Sequence, residues 1–555
     1  VRFKTEDGAE IAALPGFTAN YLVELKSGAS MVDLVFDAAN LPVPTGNWAG
    51  VGNPKGCPII ADGSTTAVAT PRIDGVVVKN APNGAVFFRQ VTNPKISNLT
   101  MTNVQTATTY VRSAAVEFYQ VTDGKVIDCE VNGYTMKGYN LGNSIRVKVV
   151  RSHALGAGQN VGHAAHYEDG CTDCAYIDCN HEGVGFAYKS HNGIRPKLKG
   201  YVANGSAGMA YFQGSKDFTI DDCEHAADAA SRQHIIVEGS AGAGAIDTGT
   251  ISNCRGRRSV AGSTLNHVGI HFISDATNAV DNVSARDCTF ENQYVTVWTQ
   301  NATSAVFRNL QLDNIRSKTP TSNSFLLFTE SVRLSNNRLD DSSDGSTPIA
   351  MFSAAGTPSK LWELIDNKFY NLAAPSEAIQ IGYDLSNTFG VKLDALVVRG
   401  NRTENGNVFL RMDLSNTAGG AGTNYIKSLT IDDNTANGIA AANAMLLTFA
   451  TVLKTRVHIV GNSLVDAALG TKNILITNAA QIQGGYAAAN DINQITNWPV
   501  ASLVAGLYGV IPVVQAAAIA TPTAPGATYN QAEAASAKTA IDALRVAIKN
   551  LGGTA

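Results

Sequence analysis

"VIDCEV", residues 126–131, is a short alternating run that turns at Asp-Cys, and the same design returns down the chain. It reads "YIDCNH" at 176–181, "IDDCEH" at 220–225, "ISNCRG" at 251–256 and "ARDCTF" at 285–290. Farther on, Asn takes the place of Cys: "LSNNRL" at 334–339, "LIDNKF" at 364–369, "VRGNRT" at 398–403, "IDDNTA" at 431–436 and "IVGNSL" at 459–464. Weaker copies put Leu99, Ser152, Tyr201 and Leu310 in the slot, with intervals from 22 residues (288 to 310) to 34 (254 to 288).

A period of this length marks a solenoid or a propeller. A propeller needs four antiparallel strands in 40 to 50 residues, and these intervals are too short for that. Each copy is one short strand followed by an Asn-, Asp- and Gly-rich turn. Such a strand cannot bury its apolar face alone, whereas stacked identical turns share a continuous core. Cys suits a tapering interior, and stacked Asn amides hydrogen-bond from rung to rung. The expected fold is all-β: a right-handed parallel β-helix over 71–475, with about a dozen rungs. Loops of varying length leave one corner, where solenoids carry function.

The flanks break the period. Residues 1–70 are expected to form an N-terminal cap of strands and a short helix, because an open terminal rung invites edge pairing. Residues 476–528 read as a linker or small β region. In 529–555, Ala534, Ala537, Ile541, Leu544, Ile548 and Leu551 form an a/d seam before Gly552 and Gly553, expected as a short C-terminal α-helix in an oligomerisation bundle. Ile at a with Leu at d favours two strands. The opening "VRFKTEDG" lacks Met and fits a product missing an N-terminal attachment segment.

Composition narrows the partners. The net charge of −4 gives no basic field for nucleic acid, and no apolar run is long enough to insert in a membrane. The eight cysteines include one CxxC, "CTDC" at 171–174, without a second pair at metal-ligand spacing. All are expected as buried thiols, and no metal or cofactor is expected.

Nine of ten histidines fall between His153 and His271. Aligning "AAHYED" (from Ala164), "FAYKSH" (Phe186), "MAYFQG" (Met209), "HIIVEG" (His234), "GIHFIS" (Gly269) and "VTVWTQ" (Val295) puts His166, Tyr188, Tyr211, Ile236 and His271 in one column. Strand alternation, counted from these starts, points that column outward, with Glu168, Ser190, Gln213 and Glu238 beside it. Lys189 breaks the apolar column between them. The expected site is a sugar-binding wall. For β-elimination from a uronic acid, His166, Tyr188 and Tyr211 share base and acid roles, while Lys189, Arg195 or the cluster of Arg255, Arg257 and Arg258 holds the carboxylate. His191, Glu238 and His271 complete the contacts. For hydrolysis, Glu168 and Glu238 stand about three rungs, or roughly 14 Å, apart, which is too far; Glu168 or Asp169 with Glu182 stays open.

The long coil, from about 71 to 475, together with the C-terminal seam, resembles the tailspike depolymerases of tailed bacteriophages. The resemblance is one of architecture rather than of a diagnostic motif. It implies a homotrimer on the virion that reaches the phage tail or baseplate through its N-terminal part and cleaves a bacterial surface polysaccharide, capsule or O-antigen. Signature residues of the secreted pectin lyases and polygalacturonases are not seen. The readings kept open are a lyase, a glycoside hydrolase and a non-catalytic adhesin.

Overall fold

The residue before the Cys/Asn slot decides how each turn is made. Asp128, Asp178, Asp222, Asn253, Asp287, Asn336, Asp366 and Asp433 all hold φ between 53° and 56°. That left-handed region is costly for most side chains and tolerated by Asp, Asn and Gly. Gly400 and Gly461 take the same position with φ of 64° and 69°. One left-handed residue bends the chain sharply, and the strand resumes with the slot residue turned inside.

The computed structural model describes residues 2–3, 10–43, 56–104, 114–134, 137–156, 164–183, 185–227, 233–263, 267–275, 277–300, 306–340, 347–353, 358–370, 372, 377–382, 390–415, 424–450, 455–468, 470–482, 485–488 and 490–498. Among them the chain is a parallel β-helix of three sheets, with no α-helix. One rung shows the order. Ala164–Asp169 lies in the third sheet, Ala175–Ile177 in the first and Asn180–Glu182 in the second; Phe186–His191 then returns to the third. Each strand pairs in parallel with its counterpart one rung on: Ala175–Ile177 with Lys197–Lys199, Asn180–Glu182 with Val202–Asn204.

The coil is longer than the sequence suggested. Glu10–Ala12, Val23–Glu24, Ser30–Val32 and Val35–Asp37 already pair in parallel with later rungs, so the sheets reach into the segment expected as a cap, and no helix forms among its described residues. At the other end Tyr486–Ala488 and Ile495–Thr496 join the first and third sheets. The expected helix of 529–555 lies outside the described residues. No described helix is long and apolar enough to cross a membrane.

Inside the coil the slot residues stack. Cys129, Cys179, Cys223, Cys254 and Cys288 are buried free thiols with bonds to backbone carbonyls, as Cys179 Sγ is to Ile177 O at 3.4 Å, and Cys254 also meets the thiols of Cys223 and Cys288. From Asn337 onward the amides form a continuous ladder. Asn337, Asn367, Asn401, Asn434 and Asn462 each donate Nδ2 to the next Oδ1 at 2.9–3.0 Å. One slot differs from expectation. Ile315, not Leu310, occupies it, and its N–H donates to Asn337 Oδ1 at 2.8 Å. Leu310 begins the preceding strand; the left-handed residue is Asn314.

Candidate functional site

The third sheet carries most of the expected site, and its backbone explains why the alignment from sequence went wrong. Each rung there sends two successive residues inward before alternation begins. Ala165 and His166, Ala187 and Tyr188, Met209 and Ala210, His234 and Ile235 are all buried. The pairing runs His166 with Tyr188, Tyr188 with Ala210 and Ala210 with Ile235. The outward column is therefore Tyr167, Lys189, Tyr211, Ile236, His271 and Trp298. The sequence alignment slipped by one residue between the Phe186 and Met209 rungs, and a one-residue slip exchanges the faces.

Several expectations are corrected as a result. His166 and Tyr188 are fully buried and cannot meet a saccharide at the surface. His166 Nδ1 lies 2.6 Å from Tyr201 Oη, and its ring stacks on Tyr139. Burial holds this imidazole far below the usual histidine range. Glu168 also faces inward; its Oε1 accepts a 2.6 Å bond from Ser190 Oγ. Burial raises its carboxyl to about 7, although the Ser190 and Tyr188 hydroxyls oppose the shift. Glu182 is exposed on the second sheet, where it lines an open depression of about 710 Å³ with Asn132, Leu155, Asn204 and four glycines. A Glu168–Glu182 pair on one surface is thus ruled out. Arg195 sits at a turn and forms an exposed ion pair with Asp173 at 2.6 Å. Arg255 and Arg257 lie on the second sheet, Arg257 3.8 Å from Glu291, while Arg258 is buried. None of these arginines is in the third-sheet column.

What remains is coherent. Tyr167, Lys189, Tyr211, Ile236, His271 and Trp298 project outward on consecutive rungs, spaced about 4.8 Å. Two residues farther along each strand come Asp169, His191, Gln213 and Glu238. The Lys189 ammonium lies 4.5 Å from the Tyr211 ring centroid and forms no ion pair with a described residue. Burial lowers its pKa, with Glu238 and Asp169 pulling the other way. The Tyr211 hydroxyl donates to Glu238 Oε2; burial, then this carboxylate, raises the phenol's pKa. Gln213 Nε2 donates to Glu238 Oε1 at 3.2 Å. His191 Nδ1 sits 2.9 Å from Asp169 Oδ1, which fixes that nitrogen as the N–H donor and orients the ring. At the far end His271 and Trp298 stack at 4.2 Å with nearly parallel rings, and burial pushes the His271 imidazole down to about 3.

Five expected residues thus stay together on this face: Lys189, His191, Tyr211, Glu238 and His271. The sequence reading missed Tyr167 and Trp298, which it placed inside. It saw Asp169 only as a carboxylate for Glu182. Lys189 was the available signal, since a lysine in an otherwise apolar column marks a shifted register.

No family model matches the sequence, and no curated protein matches it. The chain is similar in structure to a tailspike of E. coli bacteriophage HK620 in complex with a pentasaccharide, at 10% identity and a TM-score of 0.38, over 77% of this chain and 71% of that one. It is similar to a GH87 α-1,3-glucanase catalytic domain in complex with nigerose, at 12% identity and a TM-score of 0.41, over 59% of this chain. The alignment spans 66% of the glucanase chain, just under two thirds. A third likeness is to the Streptococcus pneumoniae surface protein and adhesin PfbA, at 12% identity and a TM-score of 0.36, over 56% of this chain and 92% of that one. These likenesses are remote, and the site rests on its own residues.

Proposed function

We propose that the chain is a tailspike-type depolymerase that binds an acidic bacterial surface polysaccharide, capsule or O-antigen, along the outward column of the third sheet and cleaves it by β-elimination. The observation that carries this is Lys189. A half-buried ammonium without an ion-pair partner among the described residues is costly in isolation and welcomes an anionic group. A uronate carboxylate bound there neutralises charge, and its C5 proton becomes more acidic. His191 Nε2, oriented by Asp169, is two residues along the same strand face and takes that proton. Tyr211, on the next rung, is held protonated by burial and Glu238 and donates to the leaving oxygen at C4. The C4–O bond breaks and a C4=C5 double bond forms. Tyr167 and Trp298, both partly exposed, offer ring surface to neighbouring sugars, while Ile236 and His271 are covered.

Hydrolysis fits this face less well. Asp169 and Glu238 share a column but stand three rungs apart, about 14 Å, against the roughly 5–9.5 Å that paired carboxyls need. The same proposal places the chain in a homotrimer on a phage tail, acting outside the host cell; sedimentation tests the trimer.

The chemical step is tested by incubating the protein with a panel of uronate-containing bacterial polysaccharides and following the ultraviolet absorbance of the unsaturated uronate. The wild type should generate that signal, and His191→Ala and Tyr211→Phe should each lower kcat by about 10²–10⁴-fold. Lys189→Met should chiefly raise KM. Chain cleavage without the absorbance points to a hydrolase, and glycan binding without cleavage points to an adhesin. A fully active His191→Ala variant overturns the assignment of the base.

A further inference from the structure

The corner beneath this face holds a second group that the saccharide chemistry does not use. Glu168 is the inward neighbour of Tyr167 and Asp169 on its strand. Cys171 and Cys174 lie in the turn that follows, before Ala175–Ile177 begins. One carboxylate oxygen and the two sulfurs all lie within 4.8 Å of one another, and all three residues are buried.

The pieces are poorly satisfied as they stand. Glu168 Oε1 is bonded to Ser190, which in turn contacts Ser215 Oγ at 2.9 Å, but Oε2 has no hydrogen-bond partner among the described residues. The Tyr188 hydroxyl lies beside Glu168 and Ser190 and acts on both, but it makes no hydrogen bond of regular geometry with a described residue. A bare buried acceptor is costly, because its desolvation is not repaid. The thiols have only weak bonds: Cys171 Sγ to Leu141 O at 3.2 Å, Cys174 Sγ to Ser144 O at 3.6 Å. Gly193 keeps the space open, since a Cβ there would stand 2.5 Å from Ser190 Oγ and 2.9 Å from Glu168 Oε1.

We propose that Glu168, Cys171 and Cys174 form an interior site for a thiophilic divalent cation of the zinc class, with these three as its protein ligands. A tetrahedral centre with bonds of about 2.3 Å to sulfur and about 2.0 Å to oxygen spaces its ligand atoms about 3.5–3.8 Å apart. The side chains therefore need to close by about an ångström at most. Binding displaces one proton from each thiol, so affinity rises with pH. The Ser190 hydrogen bond to Oε1 orients the carboxylate so that Oε2 meets the metal. The ion would tie the turn at 171–174 to the strand that presents Tyr167 and Asp169. The site is sealed, so the cation enters while the chain folds. Oxidation of the two thiols to a disulfide, with dissolved oxygen taking the two electrons and two protons, is the competing fate of the same pair.

The test uses the full chain, unfolded under reducing conditions and refolded with Co²⁺ alone, then desalted. The proposal expects one cobalt retained per chain, with sulfur-to-cobalt charge-transfer bands in the near ultraviolet and intense tetrahedral visible bands. Glu168→Gln should retain less metal, and Cys171→Ser with Cys174→Ser should retain none, each in protein whose far-ultraviolet spectrum shows it folded. Should the double serine variant fail to fold, Cys174→Ala alone serves, and loss of the charge-transfer bands is again expected. No cobalt retained by folded wild type overturns the site, as does unchanged cobalt in a folded cysteine variant. So does a Cys171–Cys174 disulfide in the protein as isolated. None of these readouts depends on saccharide turnover, so they are separate from the fate of the proposed lyase.

Discussion

The two ends of the slot column solve one problem in opposite ways. From Asn367 to Asn462, each amide is saturated. Asn401 shows the pattern: Nδ2 donates to Leu364 O at 2.8 Å and Asn434 Oδ1 at 3.0 Å, while Oδ1 accepts from both the backbone N–H and Nδ2 of Asn367. From Cys129 to Cys288 the slot holds thiols on five rungs, with Ser152 and Tyr201 on two others, and the polar groups around it are less regular. There Glu168 Oε2, Tyr188 Oη, His166 Nε2 and His181 Nε2 make no hydrogen bond of regular geometry with a described residue. A satisfied ladder specifies register and stability; a half-satisfied polar interior is costly and persists where something else is gained. The outward column of Tyr167 to Trp298 lies over this second region.

The largest effect should come from breaking the saturated ladder. Asn401→Ala strands the Leu364 carbonyl and two donors of Asn367 in a dry interior and leaves a cavity, so unfolding free energy should fall by about 3–5 kcal/mol. Cys223→Ala removes one small side chain, two weak sulfur contacts with backbone carbonyls and one with Cys254, and should cost about 1–2 kcal/mol. Urea midpoints at constant m compare the two. Equal losses would show that the ladder is no more than packing.

The contrast was only partly legible in the sequence. The slot, its period and its switch from Cys to Asn were readable because each copy needs a left-handed Asp, Asn or Gly before it, and that requirement writes a motif. Leu310 was misplaced because the true slot residue, Ile315, follows Asn314 without a Cys or Asn to mark it. The site was harder. Two successive inward residues at the start of each third-sheet strand leave no trace in alternation, so His166 and Tyr188 were assigned to the wrong face while Tyr211 and His271 were assigned to the right one. Burial of a polar side chain such as Glu168 is set by neighbours some twenty residues away, and local pattern does not record it.

Acid should separate the regions next. Burial lowers the His181 pKa to about 4, against about 6.5 when unfolded. The unfolded chain then binds more protons between those values, so stability rises with pH through that window and is lost as pH falls from about 6.5 to about 4. One such group is worth about 3 kcal/mol. Glu168 has the opposite sign. Its carboxyl, raised to about 7, gives stability that is complete below the ordinary range near 4.5 and is lost as pH rises toward 7. In metal-free protein the two partly cancel. Glu168→Gln should therefore show a larger fall in urea midpoint between pH 7 and pH 4 than the wild type. An identical fall in both would mean that Glu168 does not hold its proton in the folded state.

The smallest effect belongs to the surface rail that runs outside the same rungs. Arg146–Asp123, Arg151–Asp128 and Arg195–Asp173 repeat one geometry at 2.6–2.7 Å, and all three arginines adopt left-handed φ of 45–54°. Exposed pairs of this kind are screened by solvent and salt and contribute little. The left-handed backbone costs an arginine about 1 kcal/mol that glycine does not incur. Arg195→Ala loses the pair and keeps the strain, so stability should fall only slightly. Arg195→Gly loses the pair but relieves the strain and should be close to neutral. A fall above about 2 kcal/mol in either variant, persisting at high salt, would mean that the rail carries register as the asparagines do, and the division between a structural interior and a dispensable surface would no longer hold.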